Sequence, residues 1–176
     1  MPSDMPKLHL HAKTVAVVVA LLGTLTLVAA PATAASPHFV GKVTTTLDSD
    51  NNLQVCWKEV KLDRNQAIDY EASANASATY RCVTPLGACA NAIDPVIVTG
   101  RVTAPGTFNS GKKGQITACL TIDVPSPTES PCSGPLTLTL TDISYSNIAI
   151  EDLTTPVGPV AATPSTLSAV VFVCPF

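Results

Sequence analysis

The chain has 176 residues, with ten Lys or Arg against thirteen Asp or Glu and a formal net charge of −3 at pH 7. This mildly acidic balance excludes a basic footprint for nucleic acid and a polybasic patch for anionic lipid. The length suits one domain after a short leader.

The amino terminus has the three parts of an export signal. A basic start with two Lys precedes an uncharged apolar run over residues 14–30, and residues 32–34 read Ala-Thr-Ala. The run approaches the length of a membrane anchor, but small residues at this spacing suit signal peptidase. We therefore predict a signal peptide over residues 1–34 and one secreted, extracellular domain over residues 35–176, with no membrane association after cleavage.

The cysteines point to an oxidising compartment. All six follow the leader, at positions 56, 82, 89, 119, 132 and 174. An even number of Cys in an exported chain predicts three disulfides. There is no Cys-x-x-Cys, and His38 is the one His left after processing. We therefore predict neither a metal site built on these residues nor a cofactor.

Residues 53–62 surround the only Trp of the chain with alternating apolar and polar side chains. This period of two predicts a strand with one buried face, and we expect Trp57 to lie in the core. A weaker alternation over residues 38–47 and the polar cluster 48–52 predict a first strand and a turn before it.

Further alternation predicts five more strands, over residues 74–83, 95–104 with an extension to 108, 116–122, 136–152 and 166–174. Residues 63–71 are predicted to be a charged connection. The phase of the alternation shifts at Thr141 and Asp142, which predicts a bulge or a crossing between sheets. Both faces of the last strand are apolar, so we expect it at the centre of a sheet.

No segment keeps a period of 3.6 over a dozen residues. The predicted fold is therefore all-β: one disulfide-stapled β-sandwich of seven or eight antiparallel strands, Greek-key and immunoglobulin-like. One feature departs from immunoglobulin domains. There the Trp lies on the strand after the first Cys, whereas Cys56 and Trp57 are adjacent here.

A compact turn separates two of the cysteines. Pro85 and Gly87 would bring Cys82 and Cys89 together, so we predict a local disulfide between them. A loop closed in this way would display Leu86, and rigid loops of this kind can present bait to a protease. Residues 85–87 are therefore a candidate inhibitory loop.

The other four cysteines allow two pairings. Cys119 with Cys132 would close a hairpin, and Cys56 with Cys174 would tie the Trp strand to the end of the chain. The alternative pairs Cys56 with Cys119 and Cys132 with Cys174.

A calcium loop is a further alternative. Asp48, Asp50, Asn52 and Glu59 fall at positions 1, 3, 5 and 12 of the EF-hand pattern. Position 6, which requires Gly, is Leu53, and the flanks are predicted strands. A hairpin turn explains these polar residues without an ion.

Catalytic residues are scarce. Nucleophilic catalysis by Ser or Cys needs a nearby His, and only His38 is available while the thiols are oxidised. Glu151 and Asp152 are neighbours that face opposite sides of a strand, so they cannot flank one bond. We therefore expect the protein not to be an enzyme, with a carboxylate-dependent hydrolase kept as an alternative.

These exclusions leave a non-catalytic, secreted binding or envelope-associated protein as the predicted function. The expected partner is an extracellular protein or a glycan, of unknown identity. A protease inhibitor acting through residues 85–87 is the first alternative.

Overall fold

A computed structural model describes residues 36–155 and 157–175. This part of the chain contains nine strands: β1 (His38–Phe39), β2 (Thr44–Leu47), β3 (Leu53–Val60), β4 (Ala67–Val83), β5 (Val96–Asn109), β6 (Gln115–Ile122), β7 (Thr137–Asp152), β8 (Val157–Ala161) and β9 (Leu167–Val170). The predicted signal peptide lies outside the described residues. Within them there is no helix, and so none that could cross a membrane.

The strands form two antiparallel sheets. In sheet A, β3 is central, with β6 on one side and β1 followed by β2 on the other. In sheet B the order is β5, β4 and β7, and the far side of β7 pairs with β8 and then β9. The nine strands therefore make seven rows, and the predicted disulfide-stapled all-β sandwich is confirmed.

The chain crosses between the sheets in Greek-key fashion. β3 lies in sheet A, the hairpin of β4 and β5 lies in sheet B, and β6 returns to sheet A beside β3. Such crossings bury one face of each sheet against the other.

One apolar core lies between the sheets. Trp57 is buried in it, as predicted, and contacts Tyr70 and Phe108 with ring centroids 4.8 and 5.4 Å apart. The inward row of β4 then continues with small side chains at Ala72, Ala74, Ala76 and Ala78. Aromatic packing is therefore concentrated at the end of the sandwich where β4 begins.

β4 begins seven residues earlier than predicted. Its first half alternates buried Ile68 and Tyr70 with outward Asp69 and Glu71. The charged side chains lie on the solvent face of a strand, where they are fully compatible with pairing. The predicted charged connection is therefore wrong for residues 67–71.

The last strand is at an edge, and the prediction of a central position is wrong. β9 has four residues and pairs with β7 alone among the described strands. After Val170 the chain leaves the ladder, although the backbone N–H groups of Val171 and Phe172 donate to the carbonyl of Thr141 at 2.7 and 3.2 Å.

The predicted bulge is confirmed. Thr79 pairs with Asp142 and Tyr80 with Leu140, so Thr141 has no partner in the register. The side chain of Thr141 turns inward, and its hydroxyl donates to the carbonyl of Thr79 at 3.1 Å. The extra residue lets the apolar side chains on both sides of it face the core.

All three predicted disulfide pairs are wrong. Cys56 bonds Cys119, which stands directly opposite it in the register of β3 and β6, with Cα atoms 4.0 Å apart. This bond was half of the alternative pairing. It joins two strands of one sheet, whereas the immunoglobulin bond joins the two sheets. It therefore lends no support to the immunoglobulin-like part of the prediction.

The local pair of Cys82 and Cys89 is excluded by strand geometry. Cys89 forms a bridge opposite Val83, and neighbouring residues of a strand point to opposite faces. Cys82 therefore faces away from Cys89. It bonds Cys132 instead, and Cys89 bonds Cys174, so neither Cys119 with Cys132 nor Cys56 with Cys174 forms.

Candidate functional site

Two disulfides meet at one end of the sandwich. One bonds residues 84–94 to residues 171–175, and the other bonds residues 125–135 to Cys82 near the end of β4; these three segments contain little regular structure. We call these segments the fastened end. Because the bonds close loops of 50 and 85 residues, they contribute roughly 4 and 4.5 kcal/mol in the chain-entropy model, against about 2.5 kcal/mol for the predicted local bond.

The tip of the fastened end is a closed turn. Gly87 N donates to the carbonyl of Thr84 at 2.9 Å, and Thr84 N donates to the carbonyl of Ala88 at 2.8 Å. Gly87 has a φ of +85°, which glycine adopts without strain. At the tip, the Leu86 side chain is 95% exposed. The candidate inhibitory loop of Pro85, Leu86 and Gly87 therefore offers a side chain, while its backbone bonds to itself.

Exposed apolar side chains gather at and beside this end. Val170 and Val173 are 69% and 73% exposed, and Val171 lies between them. Ile97 is exposed on the adjoining outer face of sheet B. Leu153, at the opposite end, is 56% exposed. Grouped apolar exposure of this kind is typical of surfaces that contact another protein.

An open depression of about 560 Å³ lies against the carboxyl-terminal segment. Its apolar lining includes Val170, Phe172 and Val173, and Arg81 and Asp142 bring opposite charges to its wall. The mixture resembles the core and rim of a protein interface.

The outer face of sheet B is polar. A depression of about 410 Å³ there is lined mainly by hydroxyl and amide side chains together with Arg101: Asn75, Ser77, Thr99, Ser144 and Ser146. Arg101 bonds Glu71 at 3.2 Å, and Glu71 stands opposite Glu151 in the register. An exposed ion pair of this kind contributes little to stability.

The predicted calcium residues do not form one site. Asp48 accepts the backbone N–H groups of Asp50 and Asn52 at 2.9 Å each, and the Asn52 amide at 3.2 Å. Desolvation opposes ionisation of Asp48, but these hydrogen bonds outweigh it and hold its pKa below the ordinary value. The carboxylate thus closes the β2–β3 turn.

Glu59 is remote from that turn. It lies six residues along β3 from Leu53, or roughly 20 Å. Its side chain is fully buried, and its Oε2 accepts the Tyr70 hydroxyl at 2.7 Å. The interpretation of Glu59 as the twelfth ligand of a calcium loop is therefore wrong.

Sequence reasoning overlooked a pair of buried carboxyl groups. Glu59 and Asp152 are both buried. Glu151 faces outward, so Glu151 and Asp152 lie on opposite sides of the strand, as predicted. A signal was present, because Glu59 is in phase with the buried positions Leu53, Val55 and Trp57. A substrate cannot reach this pair, so it gives the hydrolase alternative no support.

The chain was compared with known proteins in three ways. No protein-family model, curated protein or solved structure matches it.

Proposed function

We propose that the chain is an exported, non-catalytic protein whose fastened end binds another extracellular protein. The observation that carries this proposal is the coincidence of two disulfides with exposed large apolar side chains: of the six among the described residues, three lie in the fastened end and two lie beside it. Disulfides hold these side chains in place before binding, so less conformational entropy is lost when a partner docks.

Export is supported by the disulfides and by the signal-like amino terminus. Three disulfides join all six cysteines, and such bonds persist mainly in oxidising compartments. The described residues thus carry the chemistry expected of an extracellular protein.

A protein partner fits the fastened end better than a glycan does. The exposed side chains there are aliphatic, whereas a glycan needs hydrogen-bonding groups, which are concentrated on the outer face of sheet B. Protease inhibition would use the same surface, and the exposed Leu86 favours this alternative. The closed turn leaves few backbone groups to pair with a protease by strand addition.

Capture with matched variants tests the proposal. The purified protein, a Leu86→Ser/Val173→Ser variant and a Leu153→Ser control are each crosslinked in the medium of the producing culture. We expect a captured protein to be retained by the control and reduced at least about tenfold with the double variant, which corresponds to about 1.4 kcal/mol of binding energy.

Equal capture by the double variant and the control would show that the fastened end does not bind the captured protein. Loss of capture by Leu153→Ser alone would place that surface at the opposite end.

A further inference from the structure

Glu59 carries its carboxyl group into the core from sheet A. It is 0% exposed, and it packs beside Trp57 and Tyr70 on the aromatic side of the core. The Tyr70 hydroxyl donates to Oε2, but Oε1 has no hydrogen-bond partner among the described residues. An unpaired buried carboxylate oxygen is costly, so this atom needs a partner.

Asp152 approaches Glu59 from sheet B. It stands opposite Tyr70 in the register of β4 and β7 and is 3% exposed, so its side chain lies on the inward face beside Tyr70, whose hydroxyl bonds Glu59. Its Oδ1 accepts the backbone N–H groups of Thr154 and Thr155 at 2.8 and 2.9 Å, and its Oδ2 accepts the Thr155 hydroxyl.

The donors around the two carboxyl groups are unequal. Asp152 receives three hydrogen bonds, which stabilise a negative charge, whereas Glu59 receives one. Two charged carboxylates in contact inside a core repel each other and are both desolvated. A proton on Glu59 would remove one charge and turn its Oε1 into a hydrogen-bond donor.

We propose that Glu59 and Asp152 form a buried acid pair that shares one proton, with Glu59 as the neutral acid and Asp152 as the acceptor. The proton acts as a ligand that joins the two sheets, and its release by alkali places a second charge in the core. The pair would thus make the stability of the fold depend on pH.

The electrostatics of the cluster agree with this assignment. Burial is the largest cause that raises the pKa of Glu59, and Asp152 raises it further. The hydrogen bond from Tyr70 and the nearby His38 act in the opposite direction. Burial also raises the pKa of Tyr70, followed by the effect of Glu59, so the tyrosine remains a donor.

The direction of the pH dependence follows from the raised pKa. In the unfolded chain Glu59 loses its proton near its ordinary value of 4.5, while the folded protein still holds it. The stabilisation is complete below that pH and is lost as the pH rises through the folded pKa. Inside this window, each pH unit lowers the folding equilibrium constant by about tenfold per proton.

A cation in place of the proton is disfavoured by the ligand set. Among the described residues no group of three His, Cys, Asp or Glu side chains is placed to hold a metal ion. The groups that bond Glu59 and Asp152 are O–H and N–H donors. Such donors bond to carboxyl oxygens, but they cannot serve as ligands of a cation.

Glu59→Gln is the decisive variant. Its amide oxygen can accept from Tyr70 and its NH₂ can donate to Asp152, so it imitates the neutral acid at every pH. Urea unfolding is followed by the fluorescence of Trp57, the only Trp, between pH 4 and pH 9. We expect the folding equilibrium constant of the wild type to fall by about tenfold per pH unit inside the window. In Glu59→Gln this pH dependence should be absent.

Glu71→Gln is the matched control, because Glu71 follows Tyr70 in β4 but lies on the outer face of sheet B, and its substitution should leave this pH dependence unchanged. A wild-type pH dependence that Glu59→Gln leaves intact would overturn the proposal.

Carbon NMR of the wild type provides a measurement that does not depend on a variant folding. We expect the Glu59 carboxyl carbon to keep the shift of a neutral acid at a pH where exposed glutamates already show the shift of a carboxylate. The shift of a carboxylate at that pH would overturn the proposal, as would a Glu59 shift that changes on adding Ca²⁺.

Discussion

At the scale of single residues, the turn between β5 and β6 contains two glycines with the same backbone conformation but different surroundings. Gly111 and Gly114 both have a φ of +61°. Nothing would contact a Cβ atom at Gly111, whereas at Gly114 a Cβ atom would overlap the carbonyl oxygen of Leu62. Leu62 N also donates to the carbonyl of Gly114 at 3.0 Å, so this contact joins the β3–β4 connection to the turn.

The two glycines provide a matched pair of substitutions. Gly111→Ala should lower the free energy of unfolding by about 1 kcal/mol, the cost of a left-handed residue with a Cβ atom. Gly114→Ala should cost about 2 kcal/mol more, because the Leu62 backbone must also move. Urea denaturation of both variants measures the difference, and equal losses would show that the close approach to Leu62 is unimportant.

At the scale of elements, β7 organises sheet B. It pairs with β4 along its whole length, and with β9 and β8 in turn on its other side. The bulge at Thr141 has a second effect, since the carbonyl of this residue accepts both Val171 N and Phe172 N. The irregularity in β7 thereby holds the carboxyl-terminal segment of the fastened end.

Thr141→Val tests the bulge without changing side-chain volume. It removes the hydroxyl that donates to the partly buried carbonyl of Thr79, so we expect a loss of about 1 to 2 kcal/mol in the free energy of unfolding. Thr139→Val, where the hydroxyl bonds only to the neighbouring Thr137, should change it by less than about 0.5 kcal/mol. Similar losses in both variants would contradict a special role for the bulge.

At the scale of the whole molecule, the disulfides divide into two kinds. Cys56–Cys119 links paired strands of sheet A, whereas Cys82–Cys132 and Cys89–Cys174 hold segments that leave the sheets. The Cys56–Cys119 bond joins strands that backbone hydrogen bonds already hold together. The other two determine the shape of the fastened end.

Removing one bond of each kind should have different local effects. The Cys56→Ser/Cys119→Ser and Cys89→Ser/Cys174→Ser variants should each lose up to about 4 kcal/mol of stability. Only the second should speed hydrogen exchange in residues 84–94 and 171–175, because these segments have few ladder contacts. Peptide mapping of the wild type checks the pairing itself, and a peptide linking Cys82 to Cys89 would contradict it.

Much of the fold could be predicted, because a sheet with one buried face repeats every two residues. The alternation around Trp57 located β3, and the phase shift at Thr141 located the bulge before any pairing was known. The predicted β4 is too short because charged residues such as Asp69 and Glu71 are typical of loops, although a strand can carry charge on its outer face.

The candidate site was harder to predict, since it depends on which segments meet. Leu86 could be chosen from its turn, but the bonds that hold the turn come from Cys132 and Cys174, 50 and 85 residues away from their partners. Glu59 could have been noticed from its phase in β3, whereas its proximity to Asp152 depends on how the two sheets face each other across Tyr70.

The sequence alone determined the all-β class, the number of disulfides and most strand positions, because these follow from periodicity, cysteine count and turn residues. The tertiary structure alone decided which cysteines pair, where the last strand lies and which carboxyl groups meet in the core. These properties depend on the direction in which each side chain points across a sheet, and that direction is defined only when strands far apart in the chain are brought into register.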